Sequence, residues 1–212
     1  MKKKIFPENI AIFPLSNAVF FPRTILPLNI FEDRYIELIN DCLKEERMFG
    51  MVQPKNRTKN STEVHNVGCL GKIINFSETS DKRFIITLSG IIRFKIKKEL
   101  SKDKLYRKFN VDYSSFLNDL NNDANEIVDF DKDNLLKKIS IFFNMINYSI
   151  KNNELAKLDL DQLISTITMI SPFSVEEKQK IIETTEIKEK IKLLDNIINF
   201  NIFELQDNKT VQ

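Results

Sequence analysis

Ser101-Lys102-Asp103-Lys104 spells the serine–lysine spacing of a covalent hydrolase. In enzymes that use it, the serine opens a buried helix and a desolvated lysine gives up its proton to act as base. Here the tetrapeptide is a charged turn between strands, where water keeps Lys104 protonated. The sole histidine, His65, lies in the polar run "KNRTKNSTEVHN". It has no nucleophile elbow near it, so a Ser–His–Asp triad finds no support. The two cysteines, Cys42 and Cys69, are too distant for a C-x-x-C pair, and each is followed by a leucine, Leu43 and Leu70, in the apolar company of buried thiols. "GCLGK" at 68–72 lacks the spacing of a phosphate-binding loop, and Ile73 stands where a magnesium-holding hydroxyl would be needed. These residues imply no catalytic group, no metal and no cofactor.

Charge offers a second kind of chemistry. The formal net charge is +2, but residues 1–108 carry 21 Lys/Arg against 12 Asp/Glu, and residues 109–212 carry 11 against 18. Such asymmetry marks either a nucleic-acid face or two lobes that attract each other. The densest basic run is "RFKIKKELSKDKLYRK" at 93–108. Basic side chains interleaved with aromatics bind nucleic acid through phosphate pairing and stacking. However, Arg93, Lys95 and Lys97 alternate with Phe94 and Ile96, as on the solvated face of a strand. They form the candidate nucleic-acid face of an alternative, RNA-binding reading.

The elements that must position these residues fall into two classes. Up to residue 117 the pattern is β with one helix. "NIAIF" and "TILPLNI" read as strands, with Pro27 placing the second at an edge or bulge. Tyr35, Leu38, Ile39, Cys42 and Leu43 recur at helical spacing over 31–44. "RMFGMVQP", "VGCLGKIINFSE", "RFIITLSGIIRFKIKKEL" and "RKFNVDYSSF" are further strands, with Gly90 expected to shift register or open a bulge. The turn "TSDK" between two of them lacks glycine. Six or so strands suggest a small closed or partly closed barrel.

Residues 118–133 are acidic and amide-rich and read as a connector. From Asn134 to 203 the pattern is helical, giving a four-helix bundle. Pro172 stops one helix, and Ser174 with Glu177 makes a capping box for the next, worth about 1 kcal/mol for the cap alone. Residues 204–212 read as a disordered tail. The chain is thus α+β, a β lobe over 8–117 followed by a helical lobe. The basic N-terminus has no unbroken apolar core, and no window approaches the roughly 20 apolar residues of a membrane span. Few cysteines fit a reducing compartment, so the expected location is the cytoplasm, with no membrane partner.

Three of the six prolines fall in "FPLSNAVFFPRTILPLNIFEDRY" at 13–35, between pairs of large apolar residues. This stretch resembles the start of the Lon protease N-terminal domain, with its "PL…V.FP…LPL.IFE.RY" pattern. "VGCLGKI" and "DKRFIITLSGIIRFKI" extend the likeness. "LISTITMISPFSVEEKQKIIETTEIKEKIKLLDNII" resembles the helical tail of stand-alone bacterial Lon-domain proteins. The resemblance covers about residues 10–198. It implies a PUA-like β-barrel, a helical bundle, and a non-catalytic module without Lon's ATPase motifs or peptidase dyad. The expected partners are unfolded or degradation-tagged protein segments, or a protease served by an adaptor in protein quality control. Phe20, Phe21, Phe31 and Tyr35 are the candidate contacts of an apolar groove, with Arg34 placed to meet a carboxylate. Prolines that pre-order such a segment lower the entropy cost of binding.

Overall fold

A computed structural model describes residues 6–16, 18–57, 62–100, 103–121 and 130–210. The chain divides into two compact units, residues 1–122 and 123–212. In the first unit the strands are β1 (Asn9–Pro14), β2 (Ile25–Ile30), β3 (Met48–Val52), β4 (Pro54–Arg57), β5 (Thr62–Val64), β6 (Val67–Glu78), β7 (Phe84–Glu99) and β8 (Arg107–Asp112). Helix α1 (Asp33–Lys44) falls between β2 and β3. Six strands form one sheet in the order β2-β7-β6-β3-β1-β8, and β8 also pairs with the second half of β7. The ladders β1, β3, β6, β7 and β8 therefore close a ring, with β2 appended to the first half of β7. Only β1 and β3 run parallel, and the excursion between them holds β2 and α1.

Alternation builds this core. In β7, Phe84, Ile86, Leu88, Ile92 and Phe94 are buried, and Ile85 and Lys95 are exposed. The pairing with β6 shifts between Leu70–Ile92 and Gly71–Gly90, so Ile91 is the extra residue of a bulge, as Gly90 led us to expect. A Cβ on Gly90 would lie 1.9 Å from the Phe21 carbonyl oxygen, so only glycine lets the chain pass there. The Phe21–Thr24 turn sits on this bulge. Arg23 N–H donates to Gly90 O at 3.0 Å, Gly90 N–H to Thr24 O at 2.9 Å, and the Thr24 hydroxyl to Phe21 O at 2.6 Å. Helix α1 buries Tyr35, Leu38, Ile39 and Cys42 on one face, and the Tyr35 ring stacks on Phe13 at 4.0 Å.

Two local expectations are corrected. Within the polar 55–66 run, β4 and β5 pair as a short antiparallel ladder rather than a plain loop; residues 58–61 lie outside the described residues. The acidic connector does not start at 118. A 3₁₀ segment covers Ser114–Leu120, buries Phe116 and belongs to the first unit; residues 122–129 of that connector lie outside the described residues. The glycine-free turn is closed by Lys82 at φ 63°, and the Thr79 hydroxyl donates to the Arg83 carbonyl and accepts from the Arg83 N–H.

The second unit holds α2 (Lys132–Met145), the one-turn α3 (Asn152–Leu155), α4 (Leu160–Ile170), α5 (Val175–Glu183) and α6 (Ile187–Thr210). Helix α6 packs against α2, α4 and α5. The capping box forms as expected: Glu177 N–H donates to Ser174 Oγ at 3.2 Å, and Ser174 N–H to Glu177 Oε2 at 2.7 Å. The tail expected to be disordered from 204 is helical through Thr210. The face that buries Leu194 and Ile198 continues through half-buried Asn201 and Leu205.

Candidate functional site

The proline-rich stretch separates into an inner and an outer part. Phe20 and Phe21 are 2% and 1% exposed, and Tyr35 is buried under Phe13. These three candidate contacts are core residues. The Phe21–Thr24 turn, drawn down onto Gly90, carries both phenylalanines inward. Beyond the turn the chain surfaces. Residues 25, 27, 29 and 31 are exposed, whereas Leu26 and Leu28 are half-buried and Ile30 is buried. Phe31 is 64% exposed and Ile25 53%. Register extends this face onto β7, where Asn29 faces Ile85, Pro27 faces Thr87 and Ile25 faces Ser89; Ile85 is 42% exposed. Ile25, Pro27, Phe31 and Ile85 thus present apolar surface along about 20 Å of extended chain.

Arg34 stands beside this face, half-exposed. Its guanidinium donates to Glu32 Oε2 at 2.6 and 2.9 Å and lies 4.4 Å from the Tyr35 ring centre. It is thus oriented by stacking and already engaged by one carboxylate. At the nearby hairpin tip, Arg83 pairs with Asp81. The bonds from Arg83 and Thr79 hold the Asp81 carboxyl down at about 2.

The basic strand does not present Arg93, Lys95 and Lys97 together on an exposed face. Arg93 is 3% exposed. Its Nη2 and Nε donate to Asp119 at 2.7 and 3.0 Å, its backbone N–H donates to Asp119 Oδ2 at 2.9 Å, and its guanidinium lies 4.6 Å from the Phe116 ring. The 3₁₀ segment covers the outer face of β7 there. Lys95 is exposed, and Lys97 pairs with Asp112 at 3.6 Å.

Sequence comparison decides what this assembly is. The profile of the ATP-dependent protease La (LON) substrate-binding domain matches residues 9–199. The chain belongs to the Lon substrate-binding domain family. It is 25% identical over 209 residues to the Lon protease of Anaeromyxobacter dehalogenans, covering 94% of this chain and 24% of that one. The Lon protease of Cytophaga hutchinsonii is 29% identical over 103 residues, 47% of this chain and 13% of its own length. The chain spans about a quarter of the length of the first of these relatives. Among solved structures, the Lon N-terminal domain protein from Xanthomonas campestris superposes with a TM-score of 0.61 at 17% identity, covering 88% of this chain and 96% of that one. The N-terminal domain of Mycobacterium avium complex Lon protease does so with a TM-score of 0.59 at 14% identity, covering 90% and 98%. At those identities the superpositions show a shared fold.

Within this Lon-domain chain, the groups first considered for chemistry are held in unreactive states. Lys104 pairs with Asp41 at 3.1 Å and Glu37 at 3.5 Å, and the Asp41 bond raises its pKa, opposite to what a catalytic base requires. Its notional partner Ser101 lies outside the described residues. Burial pushes the Cys42 thiol up to about 12 and raises Cys69 as well, so both are poor nucleophiles. Among the described residues no His, Cys, Asp and Glu side chains gather to hold a metal, and no helix is long and apolar enough to cross a membrane.

Two features escaped sequence reasoning. Ile25 and Ile85 read as ordinary strand residues, and only the register shows that they share an exposed face. Asp119 sat inside an apparent connector. Its one local signal was Phe116 three residues before it, an apolar anchor at the edge of a polar run.

Proposed function

We propose that this chain recognises segments of other proteins on the outer face of β2 and β7, as a non-catalytic module of the Lon substrate-binding type. The observation that carries the reading is the row Ile25, Pro27 and Phe31 beside Ile85, four exposed apolar residues that the β2–β7 pairing sets side by side. Unfolded or degradation-tagged segments offer the apolar side chains such a row would cover. Arg34, oriented on Tyr35, can exchange Glu32 for a carboxylate of the bound segment. In this reading the closed strand ring is a PUA-like barrel that keeps β7 rigid. The chain acts in the cytoplasm as an adaptor that hands segments to a protease in protein quality control.

RNA binding through the 93–108 strand is the competing reading. It loses Arg93 to the pair with Asp119 and retains Lys95 and Lys97. The test is fluorescence anisotropy with a labelled, permanently unfolded polypeptide. In the Ile25→Ser/Phe31→Ser double variant, Kd is expected to rise about 10- to 100-fold, the scale of two interface anchors. Unchanged affinity, or binding that single-stranded RNA displaces and Lys95→Glu abolishes, overturns the proposal.

A further inference from the structure

We propose that the bound segment adds to the sheet as an extra strand along the outer edge of β2, and that the segments so bound carry apolar side chains at alternate positions. This rests on the segment-recognition reading above and concerns how the segment binds.

Every strand of the ring has a partner on both sides over at least part of its length: β1 by β3 and β8, β3 by β1 and β6, β6 by β3 and β7, β8 by β1 and β7. Among the described residues, β2 is the strand of this sheet with a single partner, β7, along its whole length, whereas β6 loses its second partner only beyond Lys72. An edge of that kind leaves a row of backbone donors and acceptors whose natural complement is another extended chain. Proteins usually guard such edges with lysine, an inward charge or a bulge. β2 reads Ile-Leu-Pro-Leu-Asn-Ile, with no charged residue, and its ladder with β7 runs without a register shift. Pro27 is the single guard. It removes one donor from the edge and leaves its carbonyl available.

Side-chain geometry selects the same occupant. A strand laid against β2 places every second side chain on the outer face, beside Ile25, Pro27 and Asn29, at cross-strand distances of about 4.5–5.5 Å. The exposed row from Ile25 to Phe31 has that same two-residue period. A bound helix would match neither the period nor the backbone edge. The complementary segment is therefore about seven residues long, extended, and apolar at alternate positions, with a polar residue tolerated opposite Asn29.

The test uses the full chain and two nine-residue peptides of identical Val/Thr composition with terminal lysines. One alternates Val and Thr; the other spaces Val at helical period. Two further versions of the alternating peptide are N-methylated at the odd or at the even residues. The alternating peptide is expected to bind at least about tenfold tighter than the helical-period one. One N-methylated register should lose binding while the other keeps it, and exchange of β2 amide protons should slow on binding. Equal affinity of the two patterns, or indifference to N-methylation in both registers, overturns the added strand and leaves segment recognition standing. If neither peptide binds, whether or not sedimentation shows the chain pairing β2 with a second copy, both readings fall.

Discussion

The two halves of β7 invert the usual rule of what is buried. Near its end a guanidinium, Arg93, is sealed from solvent, and near its start an isoleucine, Ile85, stands exposed. Each alternates with buried apolar neighbours, Phe84 and Ile86 beside Ile85 and Ile92 and Phe94 beside Arg93, so the sequence pattern does not separate them. What lies over each side chain does. At Arg93 the 3₁₀ segment brings Phe116 over the guanidinium and Asp119 against it. At Ile85 the neighbouring positions are Asn29 of β2 and Ser77 of β6, and neither covers it. Availability for binding is thus set by elements distant in sequence, and charge or hydropathy at a single position is a poor guide to it.

The comparison breaks most visibly at the covered end. Asp119→Ala leaves the Arg93 guanidinium buried without its carboxylate and is expected to cost about 3–5 kcal/mol, the scale for breaking a buried pair. Urea unfolding measures it. Replacing both partners, Arg93→Met with Asp119→Leu, should recover most of that loss, because it is the orphaned charge that costs stability. A loss below about 1 kcal/mol for Asp119→Ala would mean that water reaches the pair, and the contrast between the two halves of β7 would fail.

Next in size is the hinge between the halves. Gly90→Ala places a methyl group against the Phe21 carbonyl, and backbone rather than a flexible side chain must yield. The expected cost is about 2–3 kcal/mol, in the overpacking range. Because the turn held by Gly90 leads directly into Ile25 and β2, the variant should also weaken segment binding. Ile25→Ser with Phe31→Ser, at the uncovered end, is expected to change stability by no more than about 0.5 kcal/mol per site, as exposed positions do. These replacements separate binding from folding, which the Gly90 variant does not.

What could be read from the sequence follows the same division. Strand and helix identities were legible where a period ran along the chain, as in α1 and in β7 on either side of Gly90, and where a local signal stood out, as in the Ser174–Glu177 capping box. Gly90 signalled its bulge because a glycine inside a strand has few other reasons to be there. The candidate contacts were only partly legible. Proline-punctuated phenylalanines read alike whether they face a groove or a core, and the hydrogen bonds that pull Phe20 and Phe21 inward come from Gly90, some 70 residues on. Arg93 and Asp119 are 26 positions apart, joined by a fold that no local pattern announces.

The smallest effect concerns the hairpin tip that leads into the uncovered half of β7. Asp81 is about half exposed, yet its carboxyl is held down at about 2 by Arg83 first and Thr79 second, against about 3.9 for a free aspartate. A carboxyl whose folded pKa lies below its unfolded one adds stability that is complete above about pH 4 and fades as pH falls toward 2. Asp81→Asn should therefore lower stability slightly at neutral pH and flatten its decline between pH 4 and 2, with no difference from the parent chain near pH 2. Because the group is open to solvent, salt should shrink the effect. If the acid limb of the stability curve is identical in the two proteins, the Arg83 pair is not held in solution. Lys82, at its positive φ, would then be left to set the turn that carries Ile85 into register with Asn29.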